Sequence, residues 1–111
     1  MKNEIKSYVY LICDSAQNLF KIGVTKNLYN KRMRQLQTGN GTELHIVNYH
    51  KTYYPYRIEQ LLHSNFHSKR EHGEWFRLDV KDISSFKTLC EKFENLIETM
   101  KSNPFFSKNL C

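Results

Sequence analysis

A chain of 111 residues has room for one domain around one core, and its 40% hydrophobic content, with seven Phe, seven Tyr and one Trp, is too rich for a disordered chain. Seventeen Lys and Arg against eleven Asp and Glu leave a net charge of +6, which favours a polyanionic partner, nucleic acid first. No apolar run approaches the roughly 20 residues of a membrane span, and the charged start MKNEIK lacks the apolar centre of a secretory signal, so an intracellular, cytoplasmic protein is expected.

After a polar lead-in to about Ser7, two alternating segments read as a hairpin around a polar turn from Asp14 to Asn18. On the first strand Val9, Leu11 and Cys13 point one way and Tyr8, Tyr10 and Ile12 the other. On the second, Phe20, Ile22 and Val24 share a face, opposite Leu19, Lys21, Gly23 and Thr25. If the apolar faces are buried together, the tyrosines and Lys21 share the far side as the floor of a cleft, where Gly23 leaves room for a ligand backbone to approach.

Asn27 is a suitable N-cap for a helix starting at Leu28 and ending at the Thr38-Gly39-Asn40-Gly41 segment. Leu28, Tyr29, Met33 and Leu36 form its apolar arc, with Lys31 and Arg34 outside and Arg32 inside, either snorkelling outward or held at the core edge for a purpose. Lys21, Lys26, Lys31, Arg32 and Arg34 make a basic stretch containing no acid. Glu43 to His50 reads as a third strand, and Pro55 opens a second helix to about Ser68, with Ile58, Leu61, Leu62 and Phe66 on the apolar arc. Glu59 and His63, four residues apart, lie together on the rim of that arc. Trp75 and Phe76 begin a short fourth strand or extended piece after Gly73. Ile83, Phe86, Leu89, Cys90, Phe93, Ile97 and Met100 then mark an amphipathic packing helix from about Asp82 to Lys101. The tail from Ser102, with Pro104, Phe105 and Phe106, packs back or meets another chain. Cys13, Cys90 and Cys111, odd in number and far apart, suit reduced thiols, with Cys13 and Cys90 as core residues. The expected fold is therefore α+β: a single domain over residues 1–111, with a small, mainly antiparallel, three- or four-stranded sheet flanked by helices.

Tyr8-Val9-Tyr10, Lys21-Ile22-Gly23, the R-x-x-Q-L run from Arg32 to Leu36, the Glu59 to His63 pair and Gly73-Glu74-Trp75-Phe76 together resemble the GIY-YIG nuclease superfamily. The closer likeness is to its phage and viral DNA-binding-type branch, and it covers roughly residues 8–78. The resemblance implies an endonuclease that hydrolyses phosphodiester bonds in DNA with Mg2+ or Mn2+, working in the host cytoplasm if phage or viral. In that reading Glu59 is the metal ligand and Arg32 grips the scissile phosphate. Tyr10 is the candidate base, Lys21 favours its phenolate, and Tyr8 is next in line. His63 donates to the phosphate, relays a proton or orients Glu59, while Lys26, Lys31 and Arg34 contact the DNA backbone.

Each residue also has a plainer reading. Glu59 can be a solvated helix carboxylate, Arg32 its ion-pair partner, the tyrosines half-buried strand aromatics, and His63 a backbone-bonded histidine. Gly73 to Phe76 can simply anchor a strand, with base stacking by Trp75 the lesser option, and His63, His67 and His72 with a cysteine form a remote zinc alternative. Lys21 stands where most superfamily members carry tyrosine, which removes a hydroxyl and leaves open a non-catalytic DNA-binding module of the same fold. A protein-interaction domain using the basic face or the Phe105-Phe106 tail is the third option. DNA is the expected partner, RNA remains open, and no membrane or small-molecule cofactor is expected; the chain would act as a monomer or weak homodimer.

Overall fold

The computed structural model describes residues 6–29, 33 and 44–102. Lys31, Arg32, Arg34 and Leu36, the glycines expected to close their helix, and the tail with Phe105 and Phe106 lie outside the described residues. In chain order the elements are β1 (Ser7–Asp14), β2 (Leu19–Thr25), β3 (Leu44–Thr52), α1 (Pro55–Asn65), a 3-10 turn (His67–Lys69), β4 (Arg70–His72), β5 (Trp75–Phe76) and α2 (Val80–Ser102). The strands form one antiparallel sheet in the order β3-β1-β2-β5-β4, so the fold is α+β. The described residues hold five strands where three or four were expected. The additional one, β4, is the exposed sequence Arg70-Glu71-His72, which has no apolar alternation to announce it.

The hairpin β1–β2 closes over residues 15–18, with Asp14 opposite Leu19. Asp14 Oδ1 accepts the amides of Ala16 and Gln17 at 3.1 and 3.2 Å, and Asn18 takes a positive φ of 54° that asparagine tolerates better than most residues. β1 is the middle of the hairpin-plus-β3 unit, and both of its faces are covered. Val9 and Leu11, with Phe20 and Ile22 of β2, pack against Ile58 and Leu62 of α1 and Phe86, Cys90 and Ile97 of α2. Cys13 and Val24 sit at the margin of that core. On the opposite face Tyr10 and Ile12 are buried with Leu28, Met33 and Leu44.

The period-two division of the hairpin is as read from the sequence, and two details differ. Tyr29, placed on the apolar arc, is 79% exposed; it lies in the turn where Asn27 Oδ1 accepts its amide at 2.9 Å, ahead of the packed position Met33. Tyr10 is not an open cleft floor: it is 4% exposed, roofed by Leu28 and Met33. The segment after β2 thus lies on this face and buries what a bare hairpin would leave in water.

β3 carries a bulge at Val47, which falls between the pairs Leu11–Asn48 and Ile12–Ile46. It is joined to α2 by polar contacts. Lys87 Nζ donates to the Tyr49 carbonyl at 3.2 Å and approaches His50 Nδ1 at 3.3 Å, while His50 Nε2 lies 2.9 Å from Glu94 Oε1. An ammonium group can only donate, so Nδ1 accepts and Nε2 carries the proton given to Glu94. The Tyr54 hydroxyl donates to Glu98 Oε1 at 2.7 Å, adding a second tie to the same helix. α2 itself starts in a reciprocal cap: Asp79 Oδ1 accepts the Asp82 amide at 2.8 Å and Asp82 Oδ2 the Asp79 amide at 3.0 Å.

Candidate functional site at the open edge of β2

β5 is two residues long and pairs with β2 only at Phe20–Phe76 and Lys21–Trp75. Beyond that point no strand among the described residues lies on this side of β2, and other groups take up its hydrogen bonds. The Ile22 amide donates to the Glu74 carbonyl at 3.2 Å, and His63 Nε2 lies 3.0 Å from the Ile22 carbonyl. A carbonyl can only accept, so Nε2 of His63 is the protonated nitrogen. The ring is fixed further by an edge contact with Phe76, centroids 5.0 Å apart. His63 therefore takes the backbone-bonded position and uses it to hold α1 against the strand edge.

Glu59 lies one turn earlier on the same helix face, so fixing His63 also fixes Glu59. Its carboxyl is raised above the usual carboxylate range, first by burial and then by the charge of Glu74, with which it also hydrogen bonds; His63 and Lys21 oppose the shift. Lys21 Nζ lies 3.4 Å from Glu74 Oε2 and 5.8 Å from the centre of the Trp75 ring. Four side chains from three elements thus converge: Lys21 from β2, Glu59 and His63 from α1, and Glu74 from the turn between β4 and β5. The Lys21–Glu74 pair, with Lys21 half-buried and Glu74 exposed to water, adds little stability of its own; its effect is to place the ammonium.

Glu74 is the site residue that sequence reasoning missed. The signal lay in the Gly73-Glu74-Trp75-Phe76 run, each member of which has a separate task. Gly73 adopts φ 54° in the two-residue turn between His72 and Trp75, the pattern of a type II′ hairpin, and Glu74 follows at the second turn position beside Ile22 in the middle of β2. Trp75 lies under Lys21, and Phe76 is fully buried.

Gly23 also has a different task from the one expected. It pairs with Tyr10, and a Cβ placed on it would stand 2.6 Å from Tyr10 Cζ and 3.1 Å from Cε1. The phenol ring lies across β2 in the space a side chain would need, so the glycine makes room for Tyr10 rather than for a ligand backbone. Tyr10 and Lys21 are on the same face of the sheet, Lys21 being paired with Ile12. Tyr8 is farther along that face, paired with Thr25 and Lys51, its ring 5.6 Å from that of Tyr49. Lys26 is exposed just after β2. Arg32, Lys31 and Arg34 are outside the described residues, so the arginine expected at this site enters only from the sequence.

Among the described residues no three His, Cys, Asp or Glu side chains converge as a metal cage, so His63, His67 and His72 do not form the zinc set considered above. The two carboxylates at the β2 edge make a different donor set. Glu59 and Glu74 repel each other when both are ionised, a repulsion that a divalent cation relieves, and two carboxylates with water completing the shell is a coordination that suits Mg2+.

The architecture defines a small α+β domain whose polar site is built at the interrupted edge of an antiparallel sheet. The chain belongs to the T5orf172 domain family, which matches residues 7–91, from the first residue of β1 into α2. This domain occurs in phage proteins and is related to nuclease-type folds, which makes the chain a phage-type, DNA-related, nuclease-like domain. Neither the curated proteins nor the solved structures include a match to it. No helix among the described residues is long and apolar enough to cross a membrane.

Proposed function

We propose that the chain is a GIY-YIG-like endonuclease that hydrolyses phosphodiester bonds in DNA with a divalent cation held by Glu59 and Glu74. The observation that carries this reading is the meeting of Glu59, His63 and Lys21 where β5 stops beside β2, between Lys21 and Ile22. When bound, Mg2+ or Mn2+ would supply charge neutralisation at the phosphoryl oxygens and acidify a coordinated water. The protein groups do the rest. Lys21, placed by Glu74 and Trp75, offers a positive charge to a phosphate oxygen at the same edge. Arg32 supplies a second, bidentate phosphate contact. Tyr10 takes the base role, its ring held against Gly23 in one orientation on the face that carries Lys21. His63 orients Glu59 by locking α1 to Ile22. Lys26, with Lys31 and Arg34, contacts backbone phosphates away from the cut.

Labelled DNA incubated with and without Mg2+ tests the reading, with Glu59→Ala as the control variant. Cutting that requires the metal and is lost in Glu59→Ala, with DNA affinity retained, is the expected result. Wild-type cleavage by Glu59→Ala removes Glu59 from the site. The engagement of Lys21 with Glu74 favours a second reading, a module of the same fold that binds DNA without cutting it. Retardation of DNA that weakens steeply with salt, with no cleavage in Mg2+ or Mn2+, selects that version.

A further inference from the structure

The sheet face that carries Tyr10 and Lys21 extends past the candidate site toward β3 and ends in a patch of different character. Its cross-strand rows run Lys51–Tyr8–Thr25, then Tyr49–Tyr10–Gly23, then Ile46–Ile12–Lys21 with Trp75 beyond, and none of these positions is acidic. Leu28 and Met33 pack on Tyr10 and Ile12. Tyr49 is 44% exposed, as is Val47 beside it at 42%, and Tyr8 is partly exposed.

The two tyrosines meet at 5.6 Å between centroids with their planes 73° apart. An edge-to-face contact uses one of the four ring faces, whereas a stacked pair would use two. An ammonium also lies over each ring, Lys51 Nζ 5.7 Å from the centre of Tyr8 and Lys87 Nζ 6.0 Å from that of Tyr49. Tyr8 packs partly against the Tyr10 cluster, but the exposed ring of Tyr49 adds little to the core, and the cations beside both rings attract an anion. Nucleic acid offers both complements at once when its bases are unpaired, a planar apolar face for the ring and a phosphate for the lysine. A duplex presents phosphates but keeps its base faces stacked inside.

We propose that Tyr8 and Tyr49, flanked by Lys51 and Lys87, form a stacking platform for a single-stranded stretch of nucleic acid. The proposal rests on reading the chain as a nucleic-acid domain and adds the substrate class: a strand with unpaired bases that runs across β3 and β1 toward the β2 edge. The bulge at Val47 serves this arrangement, because it breaks the alternation of β3 and brings Tyr49 onto the face of Tyr10 while Ile46 stays on the same side.

Fluorescence anisotropy in EDTA, where no cutting occurs, tests this with a labelled oligo-dT, an oligo-rU and a duplex of equal length. Tyr49→Ala weakens binding of both single strands about tenfold and that of the duplex less than about twofold, the size expected for one lost base–aromatic stack. Tyr49→Phe, which keeps the ring, binds like the wild type. Lys51→Gln weakens single strands and duplex alike and makes the salt dependence shallower by about one phosphate contact. Tyr49 is on the surface, so its variants are expected to melt at the wild-type temperature. Equal affinity of Tyr49→Ala and wild type for oligo-dT overturns the platform, as do equal losses on single strands and duplex, or a Tyr49→Phe variant as weak as the alanine. Preference for oligo-dT or oligo-rU identifies the strand, and either supports the platform. Metal-dependent cleavage is read separately: a protein that cuts duplex DNA through Glu59 but ignores Tyr49→Ala keeps the nuclease and loses the platform, and one that binds single strands through Tyr49 without cutting does the reverse.

Discussion

Gly23→Ala isolates the close approach of Tyr10 to β2. The added methyl would stand 2.6 Å from Tyr10 Cζ and 3.1 Å from Cε1, where non-bonded carbons prefer about 3.5–4.0 Å. The ring has little room to retreat, being 4% exposed and enclosed by Ile12, Leu28, Met33 and Leu44. Such overpacking costs about 1–3 kcal/mol, offset by about 0.5–1 kcal/mol because alanine loses less backbone entropy in a strand than glycine. The net loss is then between about zero and 2.5 kcal/mol. With Tyr10→Ala already in place the clash is gone, and Gly23→Ala becomes neutral or stabilising by that ~0.5–1 kcal/mol. A double-mutant cycle by urea denaturation should return a coupling of about 1–3 kcal/mol, equal to the overpacking itself, provided the m values agree. Tyr10→Leu replaces Tyr10→Ala if the alanine leaves too little stability to measure. Effects that add to within about 0.5 kcal/mol would refute the contact.

His63→Ala leaves the carbonyl of the fully buried Ile22 without its side-chain partner and is expected to cost about 1–3 kcal/mol in urea denaturation, while His63→Gln, whose amide N–H still donates, loses less; equal losses would mean the bond is not what holds α1 to β2. Tyr54, pushed up to about 12 by burial and then by the Glu98 carboxylate, keeps its proton in the fold while the unfolded chain ionises near 10.0, so its contribution is intact below pH 10 and is lost as pH rises toward 12. Thermal melts of Tyr54→Phe should show lower stability at neutral pH and a shallower alkaline decline than the wild type. Glu59, raised by burial and Glu74, stabilises the fold most when protonated and less as pH rises through its folded value, so Glu59→Gln should melt at or above the wild-type temperature at pH 7 while losing cleavage. A marked drop in melting temperature would show that the ionised carboxylate supports the fold.

Much of the hairpin was legible because its two faces differ in kind. Val9, Leu11, Phe20 and Ile22 alternate with residues that also pack, and period two separates the sets whichever face is buried deeper. α1 and α2 were equally plain from Pro55 and from the long apolar stripe of α2. β4 was not, since Arg70-Glu71-His72 is exposed throughout and is a strand only because the Gly73 turn folds it against β5. In the site, Glu59 and His63 were visible as an i, i+4 pair, but their distance from Lys21 in sequence hid the fact that one strand edge unites them. Glu74 was hidden by its neighbours. A run of Trp and Phe reads as an anchor, and nothing local says that the acid before it will face the edge of another strand.

The shortness of β5 is what turns a structural motif into a site. Had β5 continued alongside β2, Ile22 would be bonded to its backbone, and α1 could meet the sheet only through its buried face. Because β5 stops after Phe76 has paired with Phe20 and Trp75 with Lys21, the β2 edge must be satisfied by other means, since unpaired backbone groups at Ile22, which has no exposed surface, would cost about 1–3 kcal/mol each. The Glu74 carbonyl and the His63 ring supply those bonds, and each brings a carboxylate with it: Glu74 its own, His63 that of Glu59 one turn away. The demand for edge hydrogen bonds therefore assembles two acids and a lysine in a place where hydrophobic burial alone would never put them. A variant that lengthened β5 to cover Ile22 would be expected to gain ladder bonds and to lose the site, because the same edge cannot hold both a strand and the groups that stand in for one.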